Sequence, residues 1–228
     1  MLIGILQSGH FAQRDGAPLR DYSMLYADML SGHGFTFKTW SVVDMDFPAS
    51  VNDADGWLIS GSKHGTYDDL PFIAPLEDFI RKIYAANVPL VGICFGHQIM
   101  AQALGGRSEK FKDGWSVGNV DYTIEDGEKL AMNAWHQDQV IVPPPGARTI
   151  AKTDFCEHAA LAYKGRAMSV QPHPEFRSSD VEMLLEIRAK GVVPEDRISK
   201  SRAKLDAENN NDAMAERIAA FFKGTDNG

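Results

Sequence analysis

The sequence predicts an α/β protein built on a doubly wound, mostly parallel sheet, with an antiparallel hairpin region appended and helices at its C-terminal end. Three observations predict it. Short apolar runs alternate with stretches of helical spacing as far as Gly105-Gly106. Those runs are almost continuously apolar, as strands covered on both faces require. After Gly106 the pattern changes to short alternating runs broken by Asp-Gly turns, the mark of antiparallel strands.

The elements follow in order. Leu2 to Leu6 is read as a buried strand, and the polar, Gly/Pro-bearing stretch His10 to Pro18 as a loop. Tyr22, Leu25, Tyr26, Met29 and Leu30 recur at helical spacing, with Gly32 and Gly34 as stop signals. Phe35 to Val43 reads as a second strand, and Trp57-Leu58-Ile59, closed by Ser60-Gly61-Ser62, as a third. Phe72, Leu76, Phe79, Ile80 and Ile83 form one helical stripe after Asp68-Asp69-Leu70-Pro71. Pro89 to Ile93 is the fourth apolar run, and Gly96 to Leu104 is helical. Right-handed crossovers then dictate a doubly wound sandwich. Arg107 to Val142, with turns at Asp113-Gly114 and Asp126-Gly127, supplies the hairpins. Pro143-Pro144-Pro145-Gly146 is a turn, and Ala167 to Val170 a late strand. Val181, Leu184, Leu185 and Arg188 share a helix face. Ser199 to Asp212, with Asn209-Asn210-Asn211 inside it, is expected to be a solvated linker or helix surface. Met214, Ile218, Phe221 and Phe222 predict a terminal helix docked on the body.

Composition narrows the function. The 228 residues are 44% apolar and 24% charged, a soluble globular balance with enough chain for a full core. Acids outnumber bases 31 to 23, a net charge of −8, which argues against nucleic acid or an anionic membrane as partner. Two cysteines and no leader-like N-terminus point to a reducing, cytoplasmic setting.

The chemistry lies in Val91-Gly92-Ile93-Cys94-Phe95-Gly96-His97-Gln98, where a buried strand runs directly into a helix. Glycines flank Cys94 at two-residue spacing, the pattern of a nucleophile elbow with cysteine in place of serine. Such a turn lifts the sulfur at the carboxyl end of the sheet, where open α/β folds bind ligands. The positive end of the following helix favours thiolate. Cys156 has no glycine frame and is read as a buried hydrophobe.

A thiolate in acyl transfer needs a proton carrier held by a third group. In Gln171-Pro172-His173-Pro174-Glu175 the histidine lies just beyond a strand end between two prolines. In extended chain, residues two apart face the same side, so Glu175 can hold the imidazole of His173.

These two blocks, with Trp135-His136-Gln137-Asp138 between them, resemble the class I (triad) glutamine amidotransferases. The third block is similar to the His-x-Asp segment of GMP synthetase amidotransferase domains. The resemblance covers roughly residues 1 to 190, leaving 191–228 as a C-terminal helical extension on the same domain. It implies a flavodoxin-like sandwich and a Cys-His-Glu triad, carried over to Cys94, His173 and Glu175. The amide of Phe95, the residue after the nucleophile, is one expected oxyanion donor. The Ser60-Gly61-Ser62 loop suggests the amide of Gly61 as the second. Gln98, one turn after Cys94, is placed by the resemblance on the head of the substrate; a helix-surface glutamine is the alternative. His136 and Asp138 either bind substrate or serve local structure, and Gly114 to Val117 could offer backbone to it. The substrate rim is expected from the His10 to Pro18 and Lys63 to Leu70 loops.

The departures from the biosynthetic members point to a subgroup. Ser60-Gly61-Ser62-Lys63-His64 stands where they commonly have Gly-Gly-Pro, Pro172 stands where an aromatic is common, and no synthase module is expected after the glutaminase body. The chain thereby resembles the stand-alone group that includes γ-glutamyl peptidases. No phosphate-binding glycine loop and no metal-ligand spacing occurs, so neither a cofactor nor a metal is expected. The expected activity is hydrolysis of the γ-amide of glutamine or a related γ-glutamyl compound through a cysteinyl thioester. The alternatives are an ammonia-supplying subunit for a synthase partner, or a non-enzymatic binding module.

Overall fold

The chain runs β1 (Leu2–Leu6), α1 (Tyr22–Met29), β2 (Thr36–Trp40), β3 (Gly56–Ile59), α2 (Ile73–Ala85), β4 (Leu90–Ile93), α3 (Phe95–Ala103), β5 (Arg107–Lys110), β6 (Ser116–Ile124), β7 (Lys129–His136), β8 (Asp138–Val142), β9 (Arg148–Lys152), β10 (Ala160–Ala162), β11 (Ala167–Val170), α4 (Ser178–Ile187), α5 (Glu195–Arg202) and α6 (Asn211–Lys223). This computed structural model describes residues 1–13, 15–16 and 20–225. Positions 14, 17 and 18 of the expected His10 to Pro18 loop therefore lie outside the described residues.

One sheet holds the strands in the order β2-β1-β3-β4-β11-β10-β9-β6-β7, while β5 and β8 make a separate antiparallel pair. The first five are parallel neighbours and the rest antiparallel. The parallel half is covered on both faces, and β3, β4 and β11 are buried throughout. One core packs α1, α4 and α6 against the sheet through Leu25, Leu184 and Ile218; the other packs α2 and α3 through Leu76, Ile80 and Met100. The carboxyl ends of β1, β3, β4 and β11 open at one edge, where the site forms.

Two expectations change. The second strand ends at Trp40, because Val42–Asp44 winds into a 3-10 turn closed by Met45 in the left-handed region, φ 65°. The hairpin β6–β7 does not join the parallel strands directly, since β9 and β10 intervene; neither was read from the sequence, β10 being only Ala160–Ala162. The polar stretch Ser199 to Asp212 is mostly exposed, as a helix surface and linker should be, with Ser201 and Asn211 as its buried anchors. Its first residues complete α5, and the Cα of Ser201 lies 3.1 Å from where a Cβ on Gly118 would stand. Asn210 exchanges hydrogen bonds with Ala131 through its backbone N–H and its side-chain oxygen, and Asn211 donates to the Phe176 carbonyl. These two asparagines complete backbone pairing of the body.

Candidate active site

Cys94 stands at the β4–α3 junction with φ 54° and ψ −103°, a conformation that costs a non-glycine residue about 1–3 kcal/mol and recurs at active sites. The flanking glycines make the turn possible. A Cβ on Gly92 would lie 2.4 Å from the carbonyl oxygen of Gly96, and one on Gly96 would lie 2.4 Å from that of Ile59. The Cys94 amide donates to the Val170 carbonyl at 2.9 Å, which locks the elbow to the end of β11.

That same strand end carries His173. Its amide donates to the Asn133 carbonyl at 2.7 Å, and its ring donates through Nδ1 to Glu175 Oε1 at 2.7 Å. The ring is 2% exposed and the Glu175 carboxylate fully buried. Cys94 is close enough to the imidazole to act on its charge. Burial alone would strip the proton from His173, but the Glu175 carboxylate and the Cys94 sulfur outweigh it and raise its pKa above the ordinary imidazole range. The fold thus brings Cys94, His173 and Glu175 to the same end of the sheet.

The sulfur faces a cleft of about 440 Å³ walled by Ser62, His64, Tyr67, Trp115, Trp135 and Arg188, among others. Lys63 to Asp68 do supply one side of it, in line with the expected rim. The Gly61 amide, however, points elsewhere: it donates to the Tyr26 hydroxyl at 3.0 Å. The expected oxyanion role of Gly61 is thereby corrected, since its only donor is already engaged within the core. Ser62, the next residue, is the part of this loop that lines the cleft beside Cys94. Phe95 holds its ring in the core against Phe72, and its amide opens α3.

Gln98 is buried and lines the cleft, but its amide nitrogen is occupied: it donates to the Asp138 carbonyl at 2.9 Å and to Gln171 Oε1 at 3.1 Å. It ties α3 to β8 and to the strand end that carries His173. His136 is buried, with Nδ1 donating to the Asp138 carbonyl at 3.2 Å, and burial lowers its pKa to about 3, so it is neutral. Its Nε2 has no protein partner among the described residues. The Asp138 carboxylate accepts from the Tyr67 hydroxyl at 2.9 Å, bridging the rim loop to the hairpin. Burial raises the Asp138 pKa, against the stabilising effect of Tyr67 and Lys110. His64 Nδ1 lies 3.9 Å from Asp68, and among the described residues no three His, Cys, Asp or Glu side chains converge as a metal site requires.

The sequence model of the family Glutamine amidotransferase class-I matches residues 28–186. The chain belongs to the class-I glutamine amidotransferases. It is 27% identical over 217 residues to Gamma-glutamyl peptidase 4 of Arabidopsis thaliana, covering 88% of this chain and 86% of that protein. A GMP synthase [glutamine-hydrolyzing] of Thermus thermophilus is 36% identical over 131 residues, which is 52% of this chain and 24% of that protein. The solved structure of a glutamine amidotransferase from Methylobacillus flagellatus superposes with a TM-score of 0.76 at 22% identity, covering 98% of this chain and 93% of that one. A second, from Thermotoga maritima, gives 0.73 at 17% identity and covers 100% and 98%. The fold is the flavodoxin-like sandwich of these amidotransferases.

In this class-I amidotransferase three residues around the site went unread in the sequence. Phe176 stacks flat on the His173 ring, Asn133 receives the His173 amide and donates to the Phe176 carbonyl, and Tyr26 joins Gly61 to Glu175. A buried hydroxyl inside an apolar helical stripe was the one available signal for Tyr26, since a phenol in a core needs a partner.

Proposed function

We propose that this chain hydrolyses a γ-glutamyl amide through a thioester on Cys94. The observation that carries the proposal is the buried His173 ring bonded to Glu175 at the strand end to which the Cys94 elbow is locked, with Glu175 and Cys94 both raising its pKa. Cys94 thiolate attacks the side-chain carbonyl carbon, and the resulting oxyanion is received by the amides of Phe95 and Ser62. The C–N bond breaks as His173 delivers its proton to the departing amine. Water then attacks the thioester, His173 accepts the water proton, and the C–S bond breaks to return thiolate and release glutamate. Glu175 holds the ring in place and stabilises its charge. Gln98, His136 and Asp138 shape the floor on which the glutamyl head rests. No cofactor enters this sequence of steps.

Cleft size bears on the leaving group. About 440 Å³ falls in the range of sites that take drug-sized ligands, which is roomier than a single glutamine needs. Together with the similarity to Gamma-glutamyl peptidase 4 along most of both chains, this favours a γ-glutamyl peptide or amine over free glutamine. The similarity to GMP synthase favours a second reading, in which the chain supplies ammonia to a synthase partner. We place residues 1–190 as the amidotransferase body and 191–228 as its helical extension; the packing of α5 on β6 and of α6 on β7 supports this. A cytoplasmic setting suits two free thiols.

The test is Cys94→Ala and Cys94→Ser assayed on glutamine and on a panel of γ-glutamyl peptides and amines, with glutamate and amine both measured. Loss of turnover by 10³-fold or more, on the order expected for a lost nucleophile, is the predicted result. Unchanged turnover in both variants ends the proposal. Full activity of the chain alone, with no stimulation by a synthase, removes the second reading.

A further inference from the structure

Tyr26 connects two parts of the site that the proposed reaction uses separately. Its ring is fully buried on α1, stacked on Tyr22 with planes 13° apart and centroids 6.0 Å apart. Its hydroxyl donates to Glu175 Oε1 at 3.1 Å and accepts the Gly61 amide at 3.0 Å. Because Gly61 N–H must donate, the single phenolic proton is directed at Glu175. Glu175 Oε1 thus takes two donors, His173 and Tyr26, while Oε2 has none among the described residues. Gly61 lies in the same knot: a Cβ there would stand 3.0 Å from the Tyr22 hydroxyl and 3.1 Å from His173 Cε1. The next residue, Ser62, is the proposed oxyanion donor, and the loop is pinned from below by Ser60, whose hydroxyl donates to the Gly61 carbonyl and accepts the Ser8 amide.

We propose that Tyr26 is a positioning residue that holds the Glu175 carboxylate and the oxyanion loop in place with one hydroxyl. This rests on the thioester reading above. Two consequences follow from the geometry. Without the phenol, the Glu175 carboxylate keeps His173 as its one donor and loses the contact that fixes its angle beneath the ring. The Gly61 amide is left unpaired, and the Ser62 amide beside it loses its fixed direction. Both consequences act on the transition state and leave the cleft that grips the substrate unaltered.

The experiment compares the parent chain with Tyr26→Phe, which keeps the ring and its stack, on the γ-glutamyl substrate found most active. Rates are normalised to the Cys94 thiol titrated with iodoacetamide. The expected result is a fall in kcat of about 10–100-fold with KM within about two-fold, the scale of a lost hydrogen bond to a charged group. A purely structural tyrosine would lower the melting temperature and leave normalised kcat and KM as in the parent, and that outcome overturns the proposal. Should Tyr26→Phe not fold, 2,3-difluorotyrosine installed at position 26 keeps the fold and makes the phenol a stronger donor. Normalised kcat then departs from the parent by about two-fold or more with KM unmoved, and an unchanged kcat overturns the proposal. Cys94→Ala separates the two levels: if it retains turnover, the thioester reading itself has failed, whatever Tyr26 does.

Discussion

The imidazole of His173 lies flat on the ring of Phe176, with centroids 4.0 Å apart and planes 4° from parallel. Phe176 is in turn braced by Phe11 at 5.2 Å, and its carbonyl is held by the side chains of Asn133 and Asn211. The proton carrier is therefore oriented on two sides, by a carboxylate at its edge and by an aromatic wall across its face. Phe176→Ala is expected to cost about 3–5 kcal/mol of stability, since a large buried ring leaves a cavity. Phe176→Leu should cost less yet still lower turnover, because the flat support is gone. Urea unfolding beside steady-state rates separates the two effects.

The elbow tolerates no added methyl group. Gly96→Ala forces a Cβ against the Ile59 backbone, and Gly92→Ala forces one against Gly96 itself. Backbone cannot step aside as a side-chain tip can, so each change should destabilise by about 3 kcal/mol or more, the upper end of overpacking. Thermal unfolding of the two variants measures this. A melting temperature within a degree of the parent in either would contradict the geometry.

The two thiols should react very differently. Cys94 lines the cleft, whereas Cys156 is 1% exposed and burial pushes its thiol up to about 12. At pH 8 one iodoacetamide per folded chain is expected, located on Cys94 by peptide mapping and slowed by a γ-glutamyl substrate. Two should react once the chain is unfolded in urea. Labelling of Cys156 in the folded chain at a rate equal to that of Cys94 would refute the prediction.

Stability should fall as the solution is acidified below the ordinary imidazole value of 6.5. His97 and His136 are buried and neutral, and burial lowers both to about 3. Between those values the unfolded chain binds protons that the folded chain does not, so each histidine removes about 1.4 kcal/mol per pH unit. His173 has the opposite sign: its folded value is raised, so its contribution is complete below 6.5 and is lost as pH climbs through the raised value. Urea midpoints from pH 4 to 10 should therefore pass through a maximum. His97→Gln, which can still meet Ser169 where His97 Nδ1 does at 2.7 Å, should flatten the acid side. An unchanged acid slope in that variant would show that His97 does not set it.

What was readable along the chain is what contacts between near neighbours decide. The strand–Gly-x-Cys-x-Gly–helix pattern is legible because the collision it avoids involves Gly92 and Gly96 themselves. The His173–Glu175 pair is legible from its two-residue spacing, although a turn closed by the Phe176 amide on the His173 carbonyl, and not the expected extended chain, brings the two side chains together. The alternation of parallel strands and helices is legible because burial on both faces leaves a continuous apolar signature. Other features depend on partners far apart in sequence, and no local pattern encodes them. Tyr26 meets Glu175 across 149 positions, and that contact, rather than the glycine itself, turns the Gly61 amide away from the cleft. Asn210 and Asn211 complete backbone groups of Ala131 and Phe176, partners that no local pattern names. Strand β10 is three residues long and becomes a strand only because β9 and β11 offer it hydrogen bonds on both edges. A polar group's role is set by the partner that satisfies it, and for these residues the folded chain alone chooses that partner.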